Sequence, residues 1–108
     1  MMTIPLTNKI TFFEFLTPSV ASGEKTITIR DKSESHYAVG SKVEVFTLET
    51  DQKVCNIKIE SVTPLKFEDI NEFHAQQEAM ELQPLKNLIQ KIYPNTNELF
   101  MITYSLLP

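Results

Sequence analysis

Apolar and polar residues alternate along most of this chain, and the alternation gives way to a helical period in three places. In an extended chain successive side chains point to opposite faces, so an alternating run predicts a strand with one buried face. Residues 42–47 (Lys-Val-Glu-Val-Phe-Thr) and 53–62 alternate in this way. In the second run Cys55, Ile57 and Ile59 share one face, and Asn56, Lys58 and Glu60 share the other. Between the two, Glu49, Thr50, Asp51 and Gln52 predict the tip of a hairpin. Residues 99–106 predict a closing strand with Phe100, Ile102, Tyr104 and Leu106 on one face. Ile10, Thr11, Phe12 and Phe13 predict a short first strand, behind a surface lead-in of residues 1–8 that carries Pro5.

The helical stretches are shorter. Thr17 followed by Pro18 reads as an N-cap and a first-turn proline, so a helix is predicted over residues 18–22, ended by Gly23. After Pro64 a second helix is predicted over residues 67–80, with Ile70, Phe73 and Gln77 along one side and His74 and Glu78 one turn apart. A third is predicted over residues 82–93, with a stripe of Leu85, Leu88, Ile89 and Ile92, and Pro94 beyond its end. Residues 31–36 are polar and predict a loop, and Gly40 predicts a turn. Four or five strands with three short helices make an α+β single domain spanning 1–108. A small, mostly antiparallel barrel or strongly curved sheet is expected, because closing the sheet removes exposed strand edges.

One alternating run carries chemistry. In Gly23-Glu24-Lys25-Thr26-Ile27-Thr28-Ile29-Arg30-Asp31, Ile27 and Ile29 share a face and are taken as its core side. Thr26, Thr28 and Arg30 share the other, so two hydroxyls and a guanidinium face a cleft or solvent. A threonine hydroxyl becomes a nucleophile only when a base removes its proton, and a lysine is such a base only when neutral. Burial or a neighbouring cation such as Arg30 lowers a lysine pKa. Lys25 and Thr28 are about 10 Å apart along a strand and face opposite ways. Lys25 therefore has to enter through a bend after Gly23. Glu78 reads either as a solvated glutamate paired with His74 or as a carboxyl group delivered into a cleft opposite Thr28.

Composition narrows the partners. The 108 residues suit one core, and 42% of them are hydrophobic, so the chain is not disordered by composition. A net charge of −4 lacks the basic field that a broad nucleic-acid surface needs, which favours a small-molecule substrate. Cys55 is the single cysteine and reads as a small core residue. Cys55, His36 and His74 lie at scattered spacings, so no metal and no cofactor is expected. The first fifteen residues lack the layout of a secretory signal, and no apolar run approaches the roughly 20 residues that span a bilayer. A cytoplasmic monomer without a membrane partner is expected.

The pattern Gly23-x-Lys25-x-x-Thr28-x-Arg30 resembles the signature of the ASCH domain superfamily, roughly Gly-x-Lys-x-x-Glu-x-Arg, with threonine in place of the usual glutamate. That replacement is characteristic of one subfamily, the YqfB-like N4-acetylcytidine amidohydrolases. The resemblance also runs through residues 10–13, Ser33-Glu34-Ser35-His36, His74-Ala75-Gln76-Gln77-Glu78 and Ile92-Tyr93-Pro94. It implies a PUA-like β-barrel of about five to six strands and an amide hydrolase that converts N4-acetylcytidine to cytidine and acetate. It further implies Thr28 as nucleophile, Lys25 as base and Glu78 as acid. Arg30, Ser33, Ser35, His36 and His74 are then candidates for the substrate side or for oxyanion donors. The alternative is an ASCH/PUA-like RNA-binding module without catalysis, in which Arg30 and Lys25 touch phosphate.

Overall fold

The computed structural model describes residues 8–108. All but the last residue of the expected lead-in lies outside the described residues. Five strands, β1 (Lys9–Phe12), β2 (Ile27–Arg30), β3 (Lys42–Thr47), β4 (Lys53–Lys66) and β5 (Glu98–Leu106), form one sheet in the order β1-β3-β4-β5-β2. Every pairing is antiparallel except β1 with β3. Three helices accompany it: α1 (Thr17–Ser22), α2 (Glu72–Gln77) and α3 (Leu82–Ile92). This is the expected α+β domain, with one difference. The sheet is curved but not closed by backbone pairing, and β1 and β2 are its two edges. A side chain spans that seam instead: Arg30 on β2 donates from Nη2 to the Thr11 carbonyl on β1 at 2.7 Å.

Strand β4 runs past the expected end at residue 62 and carries Pro64 within it. A proline is tolerated where the strand has no neighbour on one side. The β3 partner stops opposite Lys58, so the second half of β4 pairs with β5 alone. The register also shifts between Ile59 and Ser61, and such an irregularity bends the strand and curls the sheet.

Two apolar clusters hold the domain. The first contains Ile10, Phe12, Val43, Val45, Ile57, Ile59, Ile102 and Tyr104, with Val20 of α1 packed among them. The second contains Ile29, Ile70, Ala75, Leu85, Ile89 and Leu99, between the sheet and helices α2 and α3. This double core corrects the reading of β2. Thr28 pairs with Ile102 and shares its face, so the hydroxyl stands toward the first core. Ile29 pairs with Met101 on the opposite face and packs under the helices. Both faces of β2 are buried, and no solvent face exists there.

The stretch after β4 also differs from the expected long helix. Phe67–Asp69 is a single 3-10 turn, and α2 starts only at Glu72. Asn71 sets that start. Its side-chain oxygen accepts from the Phe73 N–H at 2.9 Å, and its own N–H donates to His74 Nδ1 at 3.0 Å, a reciprocal capping box. The buried face of α2 is His74, Ala75 and Glu78, whereas Phe73 is exposed. Helix α3 follows the expected stripe, with Leu85 and Ile89 buried. Among the described residues no helix is long and apolar enough to cross a membrane.

Candidate active site

The bend expected after Gly23 exists. Gly23 caps α1 in the left-handed region at φ +83°, a conformation that favours glycine, and donates its N–H to the Val20 carbonyl. Lys25 then hydrogen-bonds through its N–H to the Ser19 carbonyl at 3.0 Å. These contacts fold the chain back on α1 before β2 begins, and the Lys25 side chain enters the interior at 1% exposure.

Thr26 and Gln77 fix the register of their neighbours Lys25 and Glu78. The Thr26 N–H donates to the Gln77 carbonyl at 2.8 Å, and Thr26 Oγ1 donates to Gln77 Oε1 at 2.5 Å. Thr26 follows Lys25, and Gln77 precedes Glu78. The double tie therefore brings the two neighbours together, and Lys25 Nζ pairs with Glu78 Oε1. Glu78 ends α2, and the chain turns away at Ala79 with φ +57°. Glu78 is 5% exposed and Thr28 4%, so the amine, the carboxyl group and the hydroxyl all sit out of bulk water.

Arg30 completes the cluster. Its Nε donates to Thr28 Oγ1 at 2.9 Å, Nη2 holds the Thr11 carbonyl, and Nη1 lies 3.6 Å from Glu34 Oε1. The Phe12 ring lies beneath both basic groups, 4.9 Å from the Arg30 guanidinium carbon and 5.6 Å from Lys25 Nζ. Burial, and secondarily the Arg30 charge, hold the Lys25 amine well below its ordinary pKa of 10.5. Both causes favour a neutral amine, the form that takes up a proton.

These groups line a cleft of about 110 Å³. Its walls are apolar, from Phe12, Phe13 and Leu16 on one side and Leu85, Leu88 and Ile92 of α3 on another. Tyr93, just past α3, donates its hydroxyl to Glu34 Oε2 at the cleft edge. Burial, and then this bond, raise the Tyr93 pKa, so its hydroxyl keeps its proton.

Of the expected site residues, the structure brings together Lys25, Thr28, Glu78 and Arg30. Ser33, Ser35, His36 and His74 are absent from the cleft lining. The Ser33 hydroxyl donates to Asp31 Oδ1 at 2.6 Å and that of Ser35 to the Lys32 carbonyl at 2.8 Å, so each is engaged within its own loop. His36 is exposed. Glu34, Tyr93 and the Thr26–Gln77 tie were not anticipated. Glu34 lies inside the stretch that flagged its neighbours, but only the fold reveals its partner 59 residues away.

His74 has a structural task that yields a prediction. Its Nδ1 accepts the Asn71 N–H, and protonating the ring removes that acceptor. Burial lowers its pKa below the ordinary 6.5, and the Asp69 charge opposes this more weakly. The folded chain thus binds fewer protons than the unfolded chain between the lowered value and 6.5. Stability is full above 6.5 and lost as pH falls through the lower value. His74→Gln keeps an acceptor at the third helical position but does not titrate. Urea unfolding from about pH 7.5 to about pH 4.5 should cost the native chain about 1 kcal/mol more than this variant.

A family model described as "ASCH domain" matches residues 7–93. A Vibrio campbellii protein named N(4)-acetylcytidine amidohydrolase is 71% identical over 99 residues, covering 92% of this chain and 93% of its own length. A Vibrio cholerae protein of the same name is 70% identical over 105 residues, covering 97% of this chain and 90% of its own. Among solved structures, the ASCH protein of Zymomonas mobilis superposes with a TM-score of 0.71 at 12% identity over 93% of this chain, which spans 66% of that protein's length. An ASCH domain from Lactobacillus crispatus superposes at 0.69 with 14% identity, over 94% of this chain and 80% of its own. At such identities the structural likeness speaks for the fold alone.

Proposed function

The chain belongs to the ASCH domain family, and from that premise we propose that it is an amidohydrolase that removes the acetyl group of N4-acetylcytidine, giving cytidine and acetate. The observation that carries this reading is the buried contact of Lys25 with Glu78 beside Thr28, whose oxygen already accepts a hydrogen bond from Arg30. The names of relatives about 70% identical supply the substrate.

The pair accounts for the base and the acid together. Moving one proton from Lys25 to Glu78 converts an ion pair into a neutral amine and a carboxylic acid, without changing the proton count. Burial and Arg30 favour that neutral arrangement at Lys25. Lys25 Nζ then takes the proton of Thr28, and Oγ1 attacks the acetyl carbonyl carbon. The Arg30 Nε–H, a charged donor on that oxygen, stabilises it as its proton leaves. As the tetrahedral intermediate collapses, the bond to the cytosine nitrogen breaks and Glu78 gives that nitrogen its proton. Water next attacks the acetyl-threonine ester. Its proton goes to the Glu78 carboxylate, Thr28 recovers its own from Lys25, and acetic acid departs and gives its proton to solvent as acetate. One water is consumed, and the pair returns to its starting state.

The role of Arg30 follows from its contacts. Its three nitrogen groups are each directed at a group of the chain, so it acts on the nucleophile and on the sheet seam before any substrate oxygen. The test is incubation of the purified protein with N4-acetylcytidine, followed by chromatography. Stoichiometric cytidine and acetate are expected, and recovery of intact substrate would refute the assignment.

A further inference from the structure

The reactive end of the cleft and its mouth carry different electrostatics. The charged residues lining the cleft are Lys25, Arg30, Glu34 and Glu78. Lys25 and Glu78 neutralise each other at the buried end. Arg30 is compensated by Glu34, but the two are unequally exposed, at 11% for the arginine side chain and 43% for the glutamate. The guanidinium points inward to Thr28 and Thr11, while the carboxylate stands at the edge. The rest of the mouth is apolar, with Leu48 and Ile92 both exposed there, and the Tyr93 hydroxyl is already donated to Glu34. Lys91 lines an adjoining groove, which shares Phe13, Leu88 and Ile92 with the cleft.

A ligand whose amide reaches Thr28 leaves its remaining polar groups toward this mouth. Of the charged groups that line the cleft itself, the one they meet at its edge is an acceptor, Glu34. A carboxylate receives sugar hydroxyls well, as acidic residues do with a ribose 2′-OH. It repels phosphate, and its pairing with Arg30, whose guanidinium is turned inward, reduces the positive field that would offset this at the mouth.

We propose that Glu34 is a specificity-determining residue that accepts hydrogen bonds from the ribose hydroxyls of a neutral nucleoside and turns away its phosphorylated forms. Resting on the amidohydrolase reading, this gives Glu34 the discrimination between the nucleoside and its 5′-phosphate.

The experiment compares kcat/KM on N4-acetylcytosine, N4-acetylcytidine and the 5′-monophosphate of N4-acetylcytidine, at low and high salt, for the native chain and two variants. The native chain should prefer nucleoside over nucleotide by about 100-fold at low salt, and the preference should shrink at high salt. Glu34→Gln exposes the Arg30 charge and should cut the preference about tenfold. It should also raise KM for the nucleoside about tenfold relative to the bare base, since a hydrogen bond to a charged acceptor is lost. Tyr93→Phe keeps the carboxylate and should retain the preference. Equal use of nucleoside and nucleotide, a preference indifferent to salt, or a Glu34→Gln ratio equal to the native one would each overturn the proposal. Should Glu34→Gln fail to fold, the native ratio and its salt dependence decide alone. No cleavage of either base or nucleoside removes the amidohydrolase reading as well, whereas cleavage of all three substrates alike removes only the role of Glu34.

Discussion

Thr28→Ala should lower kcat for N4-acetylcytidine by a factor on the order of 10⁴ while leaving the domain folded. On the proposed mechanism this removes the nucleophile from a concerted set and leaves only what binding and the remaining electrostatics supply, and losses of that order are typical. Thr28 sits on a short strand whose neighbours Ile27 and Ile29 keep it in place without the hydroxyl. The stability cost comes from Arg30 Nε losing one acceptor. That cost is about 1–2 kcal/mol, because the guanidinium keeps its other two contacts. Thr28→Ser retains an oxygen for Arg30 to hold and should recover a substantial part of kcat. Equal activity of the alanine and native chains would remove Thr28 from the reaction.

Lys25→Met should be the more damaging change to the fold. It leaves the Glu78 carboxyl group at 5% exposure with no cation beside it. Breaking a buried pair from one side costs about 3–5 kcal/mol, whereas replacing both partners by apolar groups is often neutral. The double variant Lys25→Met/Glu78→Leu should therefore regain most of the lost stability in urea unfolding. Neither variant should hydrolyse N4-acetylcytidine at more than about one-hundredth of the native rate, since the proposed base is missing from both. Restored stability with activity still absent separates the chemical role of the pair from its structural one. Additive stability losses in the double variant would mean that the two side chains do not act as a pair.

How much of this was legible in the sequence depends on the kind of signal. Alternation located β3, β5 and the first half of β4, because in each one face meets an apolar cluster. The stripe of Leu85 and Ile89 located α3 for the same reason. The second half of β4 was hidden by Pro64, which is harmless only because β3 has ended by then, a fact of topology and not of local pattern. The helix over residues 67–80 was overdrawn because the Asn71–His74 capping box, which delays α2, involves a histidine where a glutamate or glutamine is the usual signal.

At the site, the residue types of Lys25, Thr28 and Arg30 were readable as chemistry, and the turn at Gly23 was anticipated from their awkward spacing. The inward face of Thr28 was not, since isoleucines on both sides disguise a strand buried on two faces. Glu78 stood between two readings until its lysine partner, 53 residues earlier, was in view. The Thr26–Gln77 tie and the Glu34–Tyr93 bond join distant segments through ordinary polar residues and carry no local pattern at all. Ser33 and Ser35 look like ligands in the sequence, yet their hydroxyls are engaged within a short turn, as those of loop serines often are.

The central claim is that an acetyl group passes through Thr28 under the care of one buried proton-sharing pair. The most direct measurement adds hydroxylamine to the reaction and compares the acetohydroxamate-to-acetate ratio from N4-acetylcytidine with that from N4-acetylcytosine. A common acetyl-enzyme has no memory of its leaving group, so the two substrates should give the same ratio at each hydroxylamine concentration. A ratio that changes with the leaving group, or acetate alone from both substrates, would contradict it.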